Sequence, residues 1–175
     1  MARWTGLFSP GKGGGDGAAY GGKGKGILIH TLTEGSGMAL SNRTTPANDS
    51  ETDQVIPLIH SVKVKTNKRG RPRKPLKVLA ADKGYDSKDK RSALLYLDVV
   101  FGPNGPSGFG RQRRTRADPL KFPSHVVDKN VVSHGFKKNI VVLFVVRWER
   151  ISACFDAFLS LATIHIWINK TILVG

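Results

Sequence analysis

The stretch Leu76-Lys-Val-Leu-Ala-Ala-Asp82-Lys-Gly-Tyr-Asp-Ser87 decides the fold class. Leu76 to Ala81 is short and apolar, which is typical of a buried strand, and a Gly-containing turn follows it. Ser87 to Tyr96 then has the start signal and pattern of a helix. Strand, turn and helix in this order predict an α/β fold. Asp82 falls where the strand ends, a common place for catalytic groups in such folds. A turn former or helix cap is the open alternative.

The elements around this stretch are of both kinds. Ile27 to Thr33 alternates and is β-branched, which predicts a strand, and Met38 to Thr45 predicts a second strand after a turn. Asp49 or Ser50 begins a predicted helix that continues through Ile59, although Pro57 lies inside it. Glu149 to Asn169 predicts a long C-terminal helix. Residues 1–26 hold most of the glycines and are predicted to be a loop with a short extended piece at 4–8. Residues 97–142 fit no period. The length of 175 residues predicts a single domain over residues 1–175.

The charge of the chain favours a polyanionic partner. The 28 Lys and Arg outnumber the 13 Asp and Glu, for a net charge of +15. This attracts nucleic acid or an acidic membrane surface, whereas the plain alternative is a solvated basic surface. Residues 151–168 are apolar and nearly long enough to span a bilayer. Asp156 and His165 within them favour a helix buried in a protein core, and no membrane partner is expected.

Cysteine usage and the first residues indicate a reducing compartment. Cys154 is the single cysteine, which excludes an internal disulfide framework. Residues 1–10 contain no apolar signal-peptide segment. The five histidines and Cys154 show no zinc-ligand spacing. We therefore expect a protein of a reducing compartment, without a secretory signal peptide.

Basic residues supply the candidate DNA contacts. Gly17 to Lys23 has the spacing of a phosphate-binding loop, and Lys12, Lys23 and Lys25 lie among the glycines around it. Gly24 stands where a hydroxyl should bind magnesium, so nucleotide binding is rejected and contacts with a phosphate backbone are favoured. Residues 68–74 contain an Arg-Gly-Arg-Pro core suited to a narrow minor groove, with a basic surface loop as the equal alternative. The predicted DNA contacts are Lys23, Lys25, Lys65, Lys68, Arg69, Arg71, Arg73, Lys74 and Arg147.

Seven ordered motifs lie along the chain. They are Phe8-Ser-Pro-Gly-Lys-Gly-Gly, Gly22-Lys-Gly-Lys-Gly, Asn42-Arg-Thr-Thr-Pro-Ala-Asn48, residues 68–74, Ala81-Asp-Lys-Gly-Tyr-Asp86, Arg147-Trp-Glu-Arg150 and Cys154-Phe-Asp-Ala-Phe-Leu-Ser-Leu-Ala-Thr-Ile-His-Ile-Trp167. Taken together, they resemble bacterial insertion-sequence transposases of the DDE type, in particular the insertion-sequence-five type. The resemblance covers about residues 4–93 and 144–172.

The resemblance implies the C-terminal catalytic part of such a transposase, with an RNase H-like fold. In that family three acidic residues hold two divalent metals, Mg²⁺ or Mn²⁺, which support strand cleavage and transfer on transposon-end DNA. Asp82 then corresponds to the second acid, which makes it the predicted catalytic residue and metal ligand. The resemblance also implies a bacterial cytoplasmic, nucleoid-associated protein, and a homo-oligomer is compatible with it.

Two departures from the family pattern predict lost catalysis. Thr5 precedes Gly6 where the family has its first Asp, and a neutral hydroxyl cannot replace a carboxylate between two metals. Asn130 to Val142 replaces the helix that carries the third acid. A one-base shift of reading frame converts a family-like ERGIAWLQKKYRR into residues 130–142, and KGRPIKIS into residues 116–123. We therefore expect residues 94–142 to be out of frame and disordered, and residues 141–146 (VVLFVV) to be prone to aggregate.

Three functions follow as hypotheses. The first is an insertion-sequence transposase by descent whose catalysis is lost. The second is a non-catalytic basic DNA-binding remnant that occupies transposon ends or poisons an active oligomer. The third, supported by charge alone, is a protein associated with RNA or the ribosome.

Overall fold

The sheet is built around β1 (Ala2–Pro10) in the computed structural model, which describes residues 1–12, 14–62, 76–81, 85, 87–97, 99–103 and 146–173. β1 pairs antiparallel with β3 (Gly24–Glu34), and β3 pairs antiparallel with both β2 (Ala19–Gly21) and β4 (Ala39–Pro46). On its other side β1 runs parallel to β5 (Val78–Ala81), and β5 runs parallel to β6 (Val100–Pro103). The sheet order is β2-β3-β1-β5-β6 with β4 also on β3, and the predicted mixed α/β architecture is confirmed.

The helices begin close to their predicted positions. A 3-10 helix (Glu51–Gln54) leads into α1 (Val55–Ser61), and Pro57 lies in the first turn of α1, where a backbone N–H has no helical partner. α2 (Lys88–Tyr96) begins after Ser87, whose hydroxyl accepts a hydrogen bond from the Lys90 backbone N–H at 3.3 Å. α3 (Ser152–Ile168) continues as a short π-helical turn (Asn169–Leu173).

Helices cover both faces of the sheet because side chains alternate along the strands. On one face Trp4 and Leu32 pack against residues of α1 and α2. On the opposite face Ile27 and Ile29 pack against α3. The core residues from the three helices are Val55, Leu58 and Ile59 of α1, Leu94 of α2, and Phe155, Leu159 and Ala162 of α3.

The short extended piece predicted at residues 4–8 lies within β1, but the predicted loop around it was wrong at residues 2–3, 9–10, 19–21 and 24–26, which also form strands. β1 reaches Pro10 and β3 already begins at Gly24. Two glycines explain why the composition misled. A Cβ atom on Gly26 would lie 2.3 Å from the Ser9 carbonyl oxygen, and one on Gly21 would lie 2.1 Å from the Ala47 carbonyl oxygen. These glycines allow close backbone approach inside the sheet rather than flexibility.

Several predicted features lie outside the described residues. They include Asp82, the basic run 63–75 and residues 104–145, which hold most of the segment predicted to be out of frame and disordered. Of the segment predicted to be out of frame, the structure describes residues 94–97 and 99–103. They include the end of α2 and β6, which adds a strand where no regular element was expected, and Leu94, Leu97 and Val99 are buried in the core. None of the helices in the described ranges is long and apolar enough to cross a membrane.

Candidate functional site

β5 ends beside the first half of β1, the part of that strand that contains Thr5. β1 and β5 are paired in parallel, with Ala2 opposite Leu79 and Arg3 opposite Ala80. β5 ends at the fully buried Ala81, the residue before Asp82 in the sequence. Asp82 itself lies outside the described residues. Thr5 lies on β1, and Asp82 follows β5 in the sequence. The strands that lead to these two predicted acid positions are therefore neighbours and run in the same direction.

Tyr85, in the same motif, contacts a carboxylate that the sequence analysis missed. Its hydroxyl donates a hydrogen bond to the Glu51 carboxylate. This carboxylate lies directly over Gly6, where a Cβ atom would approach Glu51 Oε2 to 2.7 Å. Because successive side chains of a strand point to opposite faces, Glu51 lies over the face of β1 away from the Thr5 side chain. No sequence pattern predicts this contact, since the fold alone brings Glu51 and Tyr85 together.

A buried aromatic cluster supports this corner of the sheet. The Trp4 ring stacks on His30 with centroids 5.4 Å apart and meets the edge of Tyr85 at 5.8 Å. His30 is fully buried, and its Nε2 atom lies 2.8 Å from the Thr45 hydroxyl oxygen. Burial is the main cause that lowers the pKa of His30 to about 4, because a desolvated imidazolium is disfavoured. His30 is therefore a neutral packing residue at physiological pH.

A basic patch lies at the opposite end of β1, where three segments meet. The Gly11 backbone N–H donates to the Lys25 carbonyl at 3.1 Å, and the Arg147 backbone N–H donates to the Pro10 carbonyl at 2.9 Å. Lys12 lies over the exposed Trp148 ring, and Lys25 lies over the exposed Tyr20 ring, each with its Nζ atom 5.9 Å from the centroid. We call Lys12, Tyr20, Lys23, Lys25 and Trp148 the basic sheet end. The sequence analysis found its lysines and missed its aromatic rings.

Arg147 is adjacent to the basic sheet end but faces the interior. Its side chain is only 1% exposed. Its guanidinium donates to the carbonyl oxygens of Asp16, Glu149 and Arg150, and it forms an ion pair with the Asp16 carboxylate at 3.3 Å. These contacts occupy the side chain within the protein. The structure thus gives Arg147 a structural role in place of the DNA contact predicted from the sequence.

Asp16 connects this arginine to the start of α3. Its carboxylate accepts hydrogen bonds from both the hydroxyl and the backbone N–H of Ser152, at 2.8 and 2.7 Å. These hydrogen bonds from Ser152 are the largest cause that lowers the pKa of Asp16, and the charge of Arg147 lowers it further. Asp16 therefore holds the glycine-rich segment against the first turn of the helix, where a negative charge is favourable.

A cleft of about 200 Å³ lies between the sheet and α3. Its polar groups are already engaged within the protein: the Thr44 hydroxyl donates to Asp156 at 2.6 Å, and Arg147 is bonded as described above. The cleft lies on the α3 face of the sheet, away from Glu51 and Tyr85. The residues that line it are Gly17, Ile27, Thr44, Thr45, Pro46, Arg147, Ser152, Phe155 and Asp156.

Comparison with known proteins agrees with the motif at the end of β5. A family model described as "Transposase DDE domain" matches residues 4–149, which is most of the chain. The chain belongs to the DDE transposase family. It is also similar to a putative transposase for insertion sequence element IS402 from Burkholderia cepacia, with 37% identity over 65 residues. That match covers 37% of this chain and 31% of the relative, so the chain spans well under two thirds of the relative.

The divalent metals that the DDE transposase family implies do not fit the described residues. No group of three His, Cys, Asp or Glu side chains in the described ranges could hold a metal ion. Thr5 is neutral, and the nearby Glu51 carboxylate is bonded to Tyr85 on the other face of β1. A divalent cation of this kind requires several charged oxygen ligands around one point.

Proposed function

We propose that this DDE transposase family member is an insertion-sequence transposase of the insertion-sequence-five type that binds DNA and has lost strand cleavage. The observation that carries the proposal is the neutral Thr5 on the strand beside the end of β5. If both strands continued in the register of Arg3 and Ala80, Thr5 would lie opposite Asp82. One carboxylate would then remain where the family needs a set of acids around paired metals.

An RNase H-like fold is part of this proposal. Three antiparallel strands, β1, β3 and β4, are followed by β5 and β6, which run parallel to β1 on its other side. Helices on both faces are consistent with it. In open α/β sheets, functional groups collect at the carboxyl ends of parallel strands, and Asp82 follows such an end.

The loss of the third acid completes the proposal of inactivity. The family's Glu would belong to the segment that Asn130 to Val142 replaces, which lies outside the described residues. Reading the nucleotide sequence that encodes residues 90–145 tests this part directly. The shifted frame should spell KGRPIKIS and ERGIAWLQKKYRR. A shifted frame interrupted by stop codons would reject the frameshift.

A nicking assay tests inactivity itself. The purified chain, incubated with DNA carrying the ends of its own insertion sequence and with Mg²⁺ or Mn²⁺, should release no cleaved strand. Thr5→Asp alone should not restore cleavage, since the third acid is still missing. A complete relative with all three acids serves as the positive control. Metal-dependent nicking by the wild type that disappears in Asp82→Asn would show that the site is active.

The basic sheet end supports DNA binding in the described part of the chain. Lys12, Lys23 and Lys25 form no ion pair with a described residue, so their charges are available to a ligand. The exposed Tyr20 and Trp148 rings add surfaces on which bases can stack. The other predicted contacts, Lys65, Lys68, Arg69, Arg71, Arg73 and Lys74, lie outside the described residues and stay predictions.

Salt-dependent binding tests this surface. Each phosphate contact contributes a slope of about −0.9 to a plot of log K against log salt concentration, so Lys23→Ala/Lys25→Ala should flatten the slope by about two. Lys77→Ala is the matched control, because Lys77 is an exposed lysine beside the start of β5, at the other end of the sheet. An unchanged slope in the double variant would remove the basic sheet end from the interface. Tighter binding to RNA than to duplex DNA at equal salt would favour an RNA-associated protein instead.

A further inference from the structure

Each exposed aromatic ring of the basic sheet end is paired with a lysine. The Lys12 Nζ atom lies over the Trp148 ring, and the Lys25 Nζ atom lies over the Tyr20 ring. Tyr20 is 76% exposed and Trp148 is 66% exposed, so most of each ring stays open to a ligand. A cation beside an open ring face offers one contact for a phosphate and one for a base. These are the two parts of an unpaired nucleotide that such surfaces bind.

The backbone holds the two pairs in a row across the end of the sheet. Tyr20 on β2 is opposite Lys25 on β3. The Gly11 backbone N–H donates to the Lys25 carbonyl oxygen. Gly11 in turn forms a bridge with Arg147, which directly precedes Trp148. Neighbouring strands lie about 4.8 Å apart, so three such steps separate Tyr20 from Arg147 by roughly 14 Å. At about 3.4 Å per stacked nucleotide, this distance corresponds to roughly four nucleotides.

The contacts of Arg147 fix the backbone that carries the Trp148 ring. The Arg147 backbone N–H donates to the Pro10 carbonyl oxygen at 2.9 Å, and its guanidinium donates to the Glu149 carbonyl oxygen at 2.8 Å. Trp148 is therefore held on both sides, and less conformational freedom is lost when a ligand binds to it. The ion pair with Arg147 also balances the charge of Asp16, which would otherwise repel a phosphate.

The rings distinguish an unpaired strand from a duplex. In a duplex the bases stack on one another, and proteins hold its backbone with charged and hydroxyl side chains and with backbone N–H groups. The lysines would serve a duplex equally well, but the faces of Tyr20 and Trp148 would have no bases to stack on. In an unpaired strand the base faces are free, and every base can stack on an aromatic side chain.

We propose that the basic sheet end binds an unpaired DNA strand, with phosphates on its lysines and two bases stacked on Tyr20 and Trp148. This inference rests on the proposed DNA binding and names the form of DNA that the surface prefers. Unpaired strands occur where the end of a duplex frays or where one strand is displaced. Ring faces do not read the hydrogen-bonding groups of base edges, so binding depends little on sequence.

Fluorescence anisotropy with a labelled oligothymidine strand and a duplex of equal length tests the preference. Tyr20→Ala and Trp148→Ala should each weaken binding of the single strand by about tenfold, with a much smaller loss for the duplex. Tyr20→Phe and Trp148→Phe keep a ring and should retain most of the affinity that the alanine variants lose. Tyr96→Ala is the matched control, because Tyr96 is an exposed tyrosine of α2, outside the basic sheet end. All variants are full chains, so contacts from other lysines cancel in the comparison.

Tryptophan fluorescence detects the stacking itself and does not require a loss of affinity. Saturating oligothymidine should quench part of the wild-type emission, and this quenching should disappear in Trp148→Phe. The other two tryptophans are not available for stacking in the same way, since Trp4 is buried and the Trp167 ring N–H donates to the Ala39 carbonyl oxygen. Equal quenching in the wild type and in Trp148→Phe would overturn the proposal.

The binding measurements also separate this inference from the proposed function. If Tyr20→Ala and Trp148→Ala bind the single strand like the wild type, the preference for an unpaired strand is wrong. DNA binding by the basic sheet end would still stand if Lys23→Ala/Lys25→Ala flattens the salt dependence with the duplex. A chain that binds neither form of DNA would overturn both. Tighter binding to an oligouridine RNA strand than to the DNA strand would overturn the assignment to DNA.

Discussion

The Arg147 guanidinium connects the glycine-rich segment, through Asp16, with the residues that lead into α3, through the carbonyl oxygens of Glu149 and Arg150. We expect Arg147→Lys to lower the free energy of unfolding by roughly 2–4 kcal/mol, because hydrogen bonds from a charged donor contribute about 1.5–3 kcal/mol each. An ammonium cannot reproduce the planar set of donors that reaches three carbonyl oxygens. Urea unfolding gives the measurement. Arg150→Lys, at an exposed arginine nearby, should stay within about 0.5 kcal/mol of the wild type. Equal losses in both variants would contradict the structural role of Arg147.

His30 makes stability depend on pH in mildly acidic solution. Its pKa is about 4 in the folded protein, against 6.5 when solvated, so the unfolded state binds the proton more readily. The free energy of unfolding should therefore fall by up to about 3 kcal/mol as the pH is lowered from about 6.5 to 4. Above pH 6.5, His30 should cause no further change in stability. Urea unfolding across these pH values measures the slope. His30→Gln should flatten it, whereas His60→Gln, at an exposed histidine of α1, should leave it unchanged.

At the scale of single residues, the sequence predicts groups that lie close together in the chain and misses those that only the fold brings together. Asp82 and the neutral Thr5 are recognisable because each belongs to a local motif. Glu51 and Tyr85, which are 34 positions apart, meet only when the 3-10 helix packs over β1. Arg147 was read as a DNA contact because its charge is visible in the sequence and its burial is not.

Among the elements, α2 illustrates a start signal that operates as predicted. The Ser87 hydroxyl accepts from the Lys90 backbone N–H, one of the helix donors without a helical partner. Ser87→Ala should cost about 1 kcal/mol of stability. Ser92→Ala is the matched control: the Ser92 hydroxyl bonds back to the Lys88 carbonyl inside the helix, so its loss should be neutral or slightly stabilising. Thermal unfolding followed by circular dichroism compares the two, and a larger loss in Ser92→Ala would contradict the capping role.

Strands and helices whose apolar side chains recur at a regular period were predictable from the sequence. Strands that depend on close backbone approach to a neighbouring strand were not. β3, β4 and the body of α3 follow from alternation or from a long apolar run. The hairpin at residues 10–26 was missed because its glycines serve close approach between strands and carry no side-chain pattern. β6 was missed because its four residues include a glycine and a proline. Local propensity is weak where a neighbouring strand supplies the stabilising hydrogen bonds.

At the scale of the whole molecule, this DDE transposase family member has its sheet, but its described residues contain no group of side chains that could hold a metal ion. A ligand that binds the folded state raises the melting temperature. We therefore expect Mn²⁺ to leave the melting temperature of the wild type unchanged. Thr5→Asp should place a second carboxylate beside Asp82, and Mn²⁺ at about ten times its dissociation constant should then stabilise this variant by about 1.4 kcal/mol, or roughly 3–5 °C.

Thr5→Asn is the matched control for that measurement, because it has nearly the same size and hydrogen-bonding groups as Thr5→Asp but no charge. Mn²⁺ should leave its melting temperature unchanged, so any gain specific to Thr5→Asp comes from the added carboxylate. A metal-dependent gain in the wild type, abolished by Asp82→Asn, would mean that this chain completes its metal site with other acids and that the proposed loss of catalysis is wrong. No gain in any variant would mean that Thr5 and Asp82 do not face one another, and the register of β1 and β5 would no longer support the site.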